Sequence, residues 1–222
     1  MTRPRCLLIV AVCGLALALC PALARAATTL FDNGADLHGN AGAGTIQQSY
    51  QVSDDFTLDS GAFLTGVTFG EDSIMHIQDT VAPVPLSVEW SIGTTPFSGN
   101  VASGTAAIDA TLEGLVAGTT RVWDYSSSFA LPGLVLGPGT YWLTLGNGTN
   151  TDTGFSLTSW SVSNATAGNA ELLTPPGSAG AGTSALDSEM AFQIFGTRSV
   201  PEPSSLALAS AALALALARW RR

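Results

Sequence analysis

Leu86-Ser87-Val88-Glu89-Trp90-Ser91-Ile92-Gly93 alternates apolar and polar side chains and then stops at a glycine. A period of two sends Leu86, Val88, Trp90 and Ile92 to one face and Ser87, Glu89 and Ser91 to the other, which predicts a strand buried on one side. The same pattern extends in both directions. Phe63, Val67 and Phe69 share a parity with Thr65, and Met190, Phe192 and Ile194 share another before Gly196. Tyr141, Leu143 and Leu145 follow the turn Pro138-Gly139, and Asn147-Gly148 reads as a hairpin pair closing that segment. Val52, Phe56, Leu58, Ile108, Leu112, Val122, Leu134 and Leu136 add further short runs. No segment between residues 27 and 200 holds a long 3.6-residue apolar period. Short strands separated by glycine and proline predict an all-β fold, a single antiparallel β-sandwich of jelly-roll type, with a barrel as the alternative. The stretch Pro175 to Gly182, low in complexity but followed by the strand-like Met190 to Gly196, reads as a mobile loop inside one domain.

The chain has 222 residues, 46% hydrophobic and 11% charged, which suits one folded domain rather than a disordered chain. Cys6, Cys13 and Cys20 are its three cysteines. Their confinement to the first twenty residues removes a disulfide framework, a thiolate metal site and a cysteine nucleophile from the rest. Formal charge is −9 for the whole chain, but most of its eight arginines sit at the two ends. Between residues 27 and 200, Arg121 and Arg198 stand against eleven aspartates and five glutamates, a formal charge of −14. That sign argues against nucleic acid as a partner and against anionic membrane surfaces, and leaves cations and neutral sugars open.

The two ends are addresses. Arg3 and Arg5 precede an apolar run from Cys6 to Leu19, and Ala22, Ala24 and Ala26 then offer small-residue cleavage sites. Residues 1–26 read as a secretory signal peptide, cut after Ala26, with the secretory translocon and signal peptidase as partners. Cys20 invites a lipoprotein reading, but Leu19 stands where a small residue is expected. At the other end Pro201, Glu202 and Pro203 precede an apolar run from Leu206 to Ala218, closed by Arg219, Trp220, Arg221 and Arg222. As a hydrophobic helix that run rises about 20 Å against a hydrocarbon core of roughly 30 Å, a short span. Arg219, Arg221 and Arg222 form the stop on the cytoplasmic side, so the domain of residues 27–200 faces outward. The two prolines hold the backbone before the run extended and accessible.

Val200-Pro201-Glu202-Pro203-Ser204-Ser205, the Leu/Ala run and the arginine cluster, in that order, resemble the PEP-CTERM protein-sorting signal of Gram-negative bacteria. The resemblance covers about the last twenty-three residues. It implies export, transient retention in the inner membrane, and processing near the Pro-Glu-Pro motif by an exosortase. Proteins of this kind usually accompany exopolysaccharide, and the destination implied is the cell surface or extracellular matrix. The motif makes the chain a substrate for another enzyme and implies no catalysis by it. Ser53-Asp54-Asp55-Phe56-Thr57-Leu58, Leu64-Thr65-Gly66-Val67-Thr68-Phe69, Trp90-Ser91-Ile92 and Gly139-Thr140-Tyr141-Trp142-Leu143 are similar, more loosely, to choice-of-anchor domains. Those are β-sandwich surface domains of unassigned activity.

Candidate chemistry in residues 27–200 is sparse. The histidines are His38 and His76, each in a polar, loop-like stretch, and no G-x-S-x-G elbow is present to hold a serine nucleophile. Paired carboxylates of a glycosidase remain open among sixteen acids. No cofactor is expected, but calcium is a candidate ligand. Asp32, Asn33, Asp36, Asn40, Asp54 and Asp55, or Asn147, Asn150 and Asp152, offer hard oxygens without the spacing of a known calcium loop. Turn formation and solvated charge explain the same residues. Trp90 shares its parity with core residues. Trp142 has the parity opposite to Tyr141, Leu143 and Leu145, which sends it to solvent or to a second sheet and makes it the candidate carbohydrate-binding residue. The reading is an exported, non-enzymatic β-sandwich, with a carbohydrate-binding or adhesive module and a secreted hydrolase as alternatives.

Overall fold

The computed structural model describes residues 27–36, 44–75, 81–152, 157–164 and 168–198. The expected signal peptide, the C-terminal segment with its expected helix, His38, Asn40 and His76 lie outside the described residues. In chain order the strands are β1 (Thr28–Asp32), β2 (Gly44–Thr45), β3 (Gln51–Leu58), β4 (Ala62–Ile74), β5 (Pro85–Gly93), β6 (Ala102–Ala107) and β7 (Asp109–Leu115). They continue as β8 (Val122–Leu136), β9 (Gly139–Asn150), β10 (Leu157–Trp160), β11 (Glu171–Thr174), β12 (Gly182–Ala185) and β13 (Phe192–Arg198). The described residues are all-β, in two antiparallel sheets, as the alternation requires.

One sheet is built on β4. Along one side its first half pairs with β13 and its second half with β10, while β8 follows its other side from end to end. β1, β2 and β7 extend this sheet beyond β13, β10 and β8. The other sheet runs β12-β11-β3-β9-β5-β6. Aromatic side chains join the two. Trp90 of β5 stacks on Phe129 of β8 at 6.3 Å and Phe56 of β3 meets Phe192 of β13 at 6.5 Å, while within the first sheet Trp160 packs edge-on against Phe192 at 5.4 Å. Phe56, Phe69, Trp160 and Phe192 are almost wholly buried, each worth roughly 1.5–3 kcal/mol or more over exposure. The indole N–H of Trp160 donates to the Ala191 carbonyl at 3.0 Å, so its burial leaves no polar atom stranded.

Bulges correct the strand phasing in three places. Between Pro85 and Ser87 the pairing of β5 with β9 shifts register, so Leu86 leaves the face of Val88, Trp90 and Ile92 and is 48% exposed. β4 shifts between Leu64 and Gly66, which buries Leu64 and turns Phe63 outward, away from Val67 and Phe69. Asn147-Gly148 does not close a hairpin. β9 runs on to Asn150, and Asn147, with φ near 46°, makes the extra residue of a bulge opposite β5. An asparagine with positive φ before a glycine suits either a bulge or a turn, and only the partner strand decides. The Pro175 to Gly182 stretch joins β11 to β12.

Gly196 of β13 pairs with both Thr28 and Leu64, and Arg198 pairs with Ala62. The first and last described strands thus meet at one pole of the sandwich, beside the β3–β4 and β8–β9 turns.

Candidate functional site

β3 pairs with β11 only along Gln51–Ser53, so beyond Ser53 its outer edge is free of a strand. The chain after β1 and the chain before β13 approach it there. Asp54 points inward and is fully buried. Its Oδ2 accepts hydrogen bonds from the Met190 N–H at 2.7 Å and from Asn33 Nδ2 at 2.9 Å. Asn33 Nδ2 also lies 2.8 Å from Glu189 Oε2 and 3.1 Å from the Met190 carbonyl. Asp54, Asp55 and Glu189 bring one carboxylate oxygen each within 4.8 Å of one another. Burial first, then the neighbouring Glu189 charge, pushes the Asp54 carboxyl up to about 8, against the Met190 N–H that favours its anion. Burial thus favours the protonated form of Asp54.

Of the calcium candidates, this cluster gathers Asn33, Asp54 and Asp55 and adds Glu189. Asp32 is spent on the Gly34 N–H and on Gln193 across the outer face. Asp36 sits over Gly70, where an added Cβ would strike its carboxylate. Asn147, Asn150 and Asp152 do not converge: Asn147 serves Ser49 and Glu89, and Asn150 bonds Thr158 and the Asp152 N–H. The three carboxylates are the right donors for a hard cation, but Asn33 directs an amide N–H at two of them, the position a cation would fill. Asp54 and Glu189, bridged by Asn33 with one oxygen each within 4.8 Å, also leave no gap for a sugar ring between them.

A second buried acid lies under β4. Glu71 is fully buried, and its Oε2 accepts the Ser127 hydroxyl at 2.6 Å. Its Oε1 meets no hydrogen-bond donor among the described residues. Desolvation raises this carboxyl to about 8, despite the Ser127 hydroxyl, with Asp72 adding to the rise. Tyr125, paired opposite Glu71, is raised by burial and then by that charge. Glu71 and Glu189 went unseen in the sequence because nothing in their local pattern separates a buried acid from a solvated one.

The tryptophans divide between core and surface. Trp90 and Trp160 are core, and Trp123 is half-buried opposite Ser73. Trp142 is half-buried on the outer face of the six-stranded sheet, in register with Asp55 on β3 and Gly93 on β5. That face also holds a groove of about 290 Å³ with Gly104 and Gly146 in its floor. A second hollow of about 270 Å³ opens on the other sheet between Asp36, Gly70, Glu113 and Gln193.

No curated protein matches the chain. β13 ends at Arg198, and residues 199–222, which begin there, match the PEP-CTERM protein-sorting motif. Residues 199–222 thus carry the PEP-CTERM sorting signal, which implies export towards the cell envelope and an exosortase as processing partner.

Proposed function

We propose that this chain is a non-catalytic β-sandwich delivered to the cell surface or extracellular matrix, held briefly in the inner membrane by its C-terminal run and released by an exosortase near Pro201-Glu202-Pro203. The observation that carries the reading is the ordered tail: sorting motif, Leu/Ala run and arginine stop follow the last strand with almost no spacer. The setting such tails usually share makes exopolysaccharide the companion material. Two features support a non-catalytic domain: Asp54 is fully buried, and Asn33 bridges it to Glu189, which ties the chain after β1 to the chain before β13. Replacing Pro201, Glu202 and Pro203 together by alanine in the native host should leave full-length protein in the membrane fraction. The wild-type chain should reach the surface with its mass ending near the motif. Surface protein that still carries Arg222, or an unchanged distribution of the variant, would overturn the proposal.

A further inference from the structure

The outer face of β6, β5, β9 and β3 combines features that no core or turn requirement explains. Gly146 leaves its floor without a side chain, and the backbone of Gly104, whose own missing Cβ gives the core ring of Trp90 its room on the inner side at 3.2–3.3 Å, lines it on β6. Gln51, Ser91, Ser103 and Thr105 line the groove, and their side chains make no hydrogen bond to another described residue. Glu89 gives one oxygen to Asn147 and keeps the other unengaged among the described residues. Along β9, Trp142 stands two residues from Thr144 on the same face, its ring in contact with no other aromatic and its N–H unbonded among the described residues. The turn after β5 closes that end, with Ser98 and Gly99 lying over Gly93 and Ser91. From Trp142 to Gly146 the strand rises about 14 Å, the length of a short oligosaccharide.

We propose that this groove, together with Trp142 beside it on the same face, binds a short stretch of an uncharged polysaccharide. A pyranose offers an apolar C–H face to an indole and hydroxyls to amide, hydroxyl and carboxylate groups, which matches one aromatic flank beside a row of unengaged polar side chains. The charges at hand select the ligand class. Glu89 and Asp55 are both acidic, no base stands on this face among the described residues, and the domain as a whole is strongly negative, so a polyuronate is repelled. The assignment rests on the reading above only for the setting in which the glycan is met. Binding to the purified chain and sorting in cells are separate readouts, so each can fail alone.

The test is calorimetric titration of the full chain in detergent with glucan, mannan and galactan hexasaccharides and with a polyuronate hexasaccharide. At least one neutral glycan should bind, and Trp142→Ala should weaken it by about tenfold or more, as loss of an aromatic anchor does. Ser103→Arg, placed on the exposed edge strand β6, should block the groove to a similar extent without touching the core. Thermal unfolding that matches the wild type confirms that both variants are folded. Absence of binding to all three neutral glycans, equal binding of the polyuronate, or affinity retained by Ser103→Arg would each overturn the proposal.

Discussion

Glu71 holds its proton because nothing around it can take over the work of water. Ser127 reaches one oxygen, Asp72 adjoins it in the chain, and Tyr125 and Trp160 pair opposite it, so no cation compensates. Its folded pKa, about 8, stands above the ordinary value of 4.5. The folded state therefore binds the extra proton between those limits. The stability linked to it is complete below about pH 4.5 and drains away as pH rises towards 8. Asp54 acts with the same sign, from 3.8 to about 8. Thermal melts should accordingly show a falling midpoint from pH 5 to pH 9. Glu71→Gln, which keeps the shape without the charge, should flatten the fall and raise the midpoint at pH 8; an unchanged slope would show that Glu71 ionises without cost. Sequence parity does place Trp142 outward, but a single acid in a strand reads the same whether it meets water or Ser127. Glu71 was therefore illegible before the sheets were assembled.

Among the strands, register errors carry the clearest lesson. Alternation located β5, β9 and β13, and their inward residues Val88, Trp90, Leu143, Leu145, Phe192 and Ile194 are buried as the period demands. It misplaced Leu86 and Phe63 because a bulge is a property of two strands, and a single strand's sequence does not contain it. The bulge at Gly196 is the most constrained. An added Cβ there would meet the Phe63 carbonyl oxygen, the Leu30 side chain at 2.8 Å and the Leu64 Cα at 3.0 Å. Two of these are backbone and cannot turn aside. Gly196→Ala should cost about 1–3 kcal/mol in chemical denaturation, in the range of overpacked cores. A neutral result would mean that β1 slides away from β13.

Over the whole molecule the two-sheet arrangement was legible from composition, since short alternating runs bury one face each and need a second sheet to cover it. Pairing order was not, because β1 joins β13 and β4 exchanges β13 for β10 midway, choices settled by the shape of the finished core. Net charge also belongs to this scale. With two bases among sixteen acids, residues 27–200 repel themselves at neutral pH. Raising sodium chloride from about 10 mM to about 0.5 M should raise the thermal midpoint at pH 7.5, since screening shortens to a few ångströms. A midpoint that falls with salt would point to surface ion pairs as the stronger influence. The β1–β13 pairing has a practical consequence as well. On the proposed reading, leader removal and tail processing both fall next to the pole where Thr28 and Arg198 sit, so a reporter fused to either terminus would depart with the cleaved piece. The turn around Gly118, with open space about it at the opposite pole, is the place for an epitope meant to travel with the mature protein.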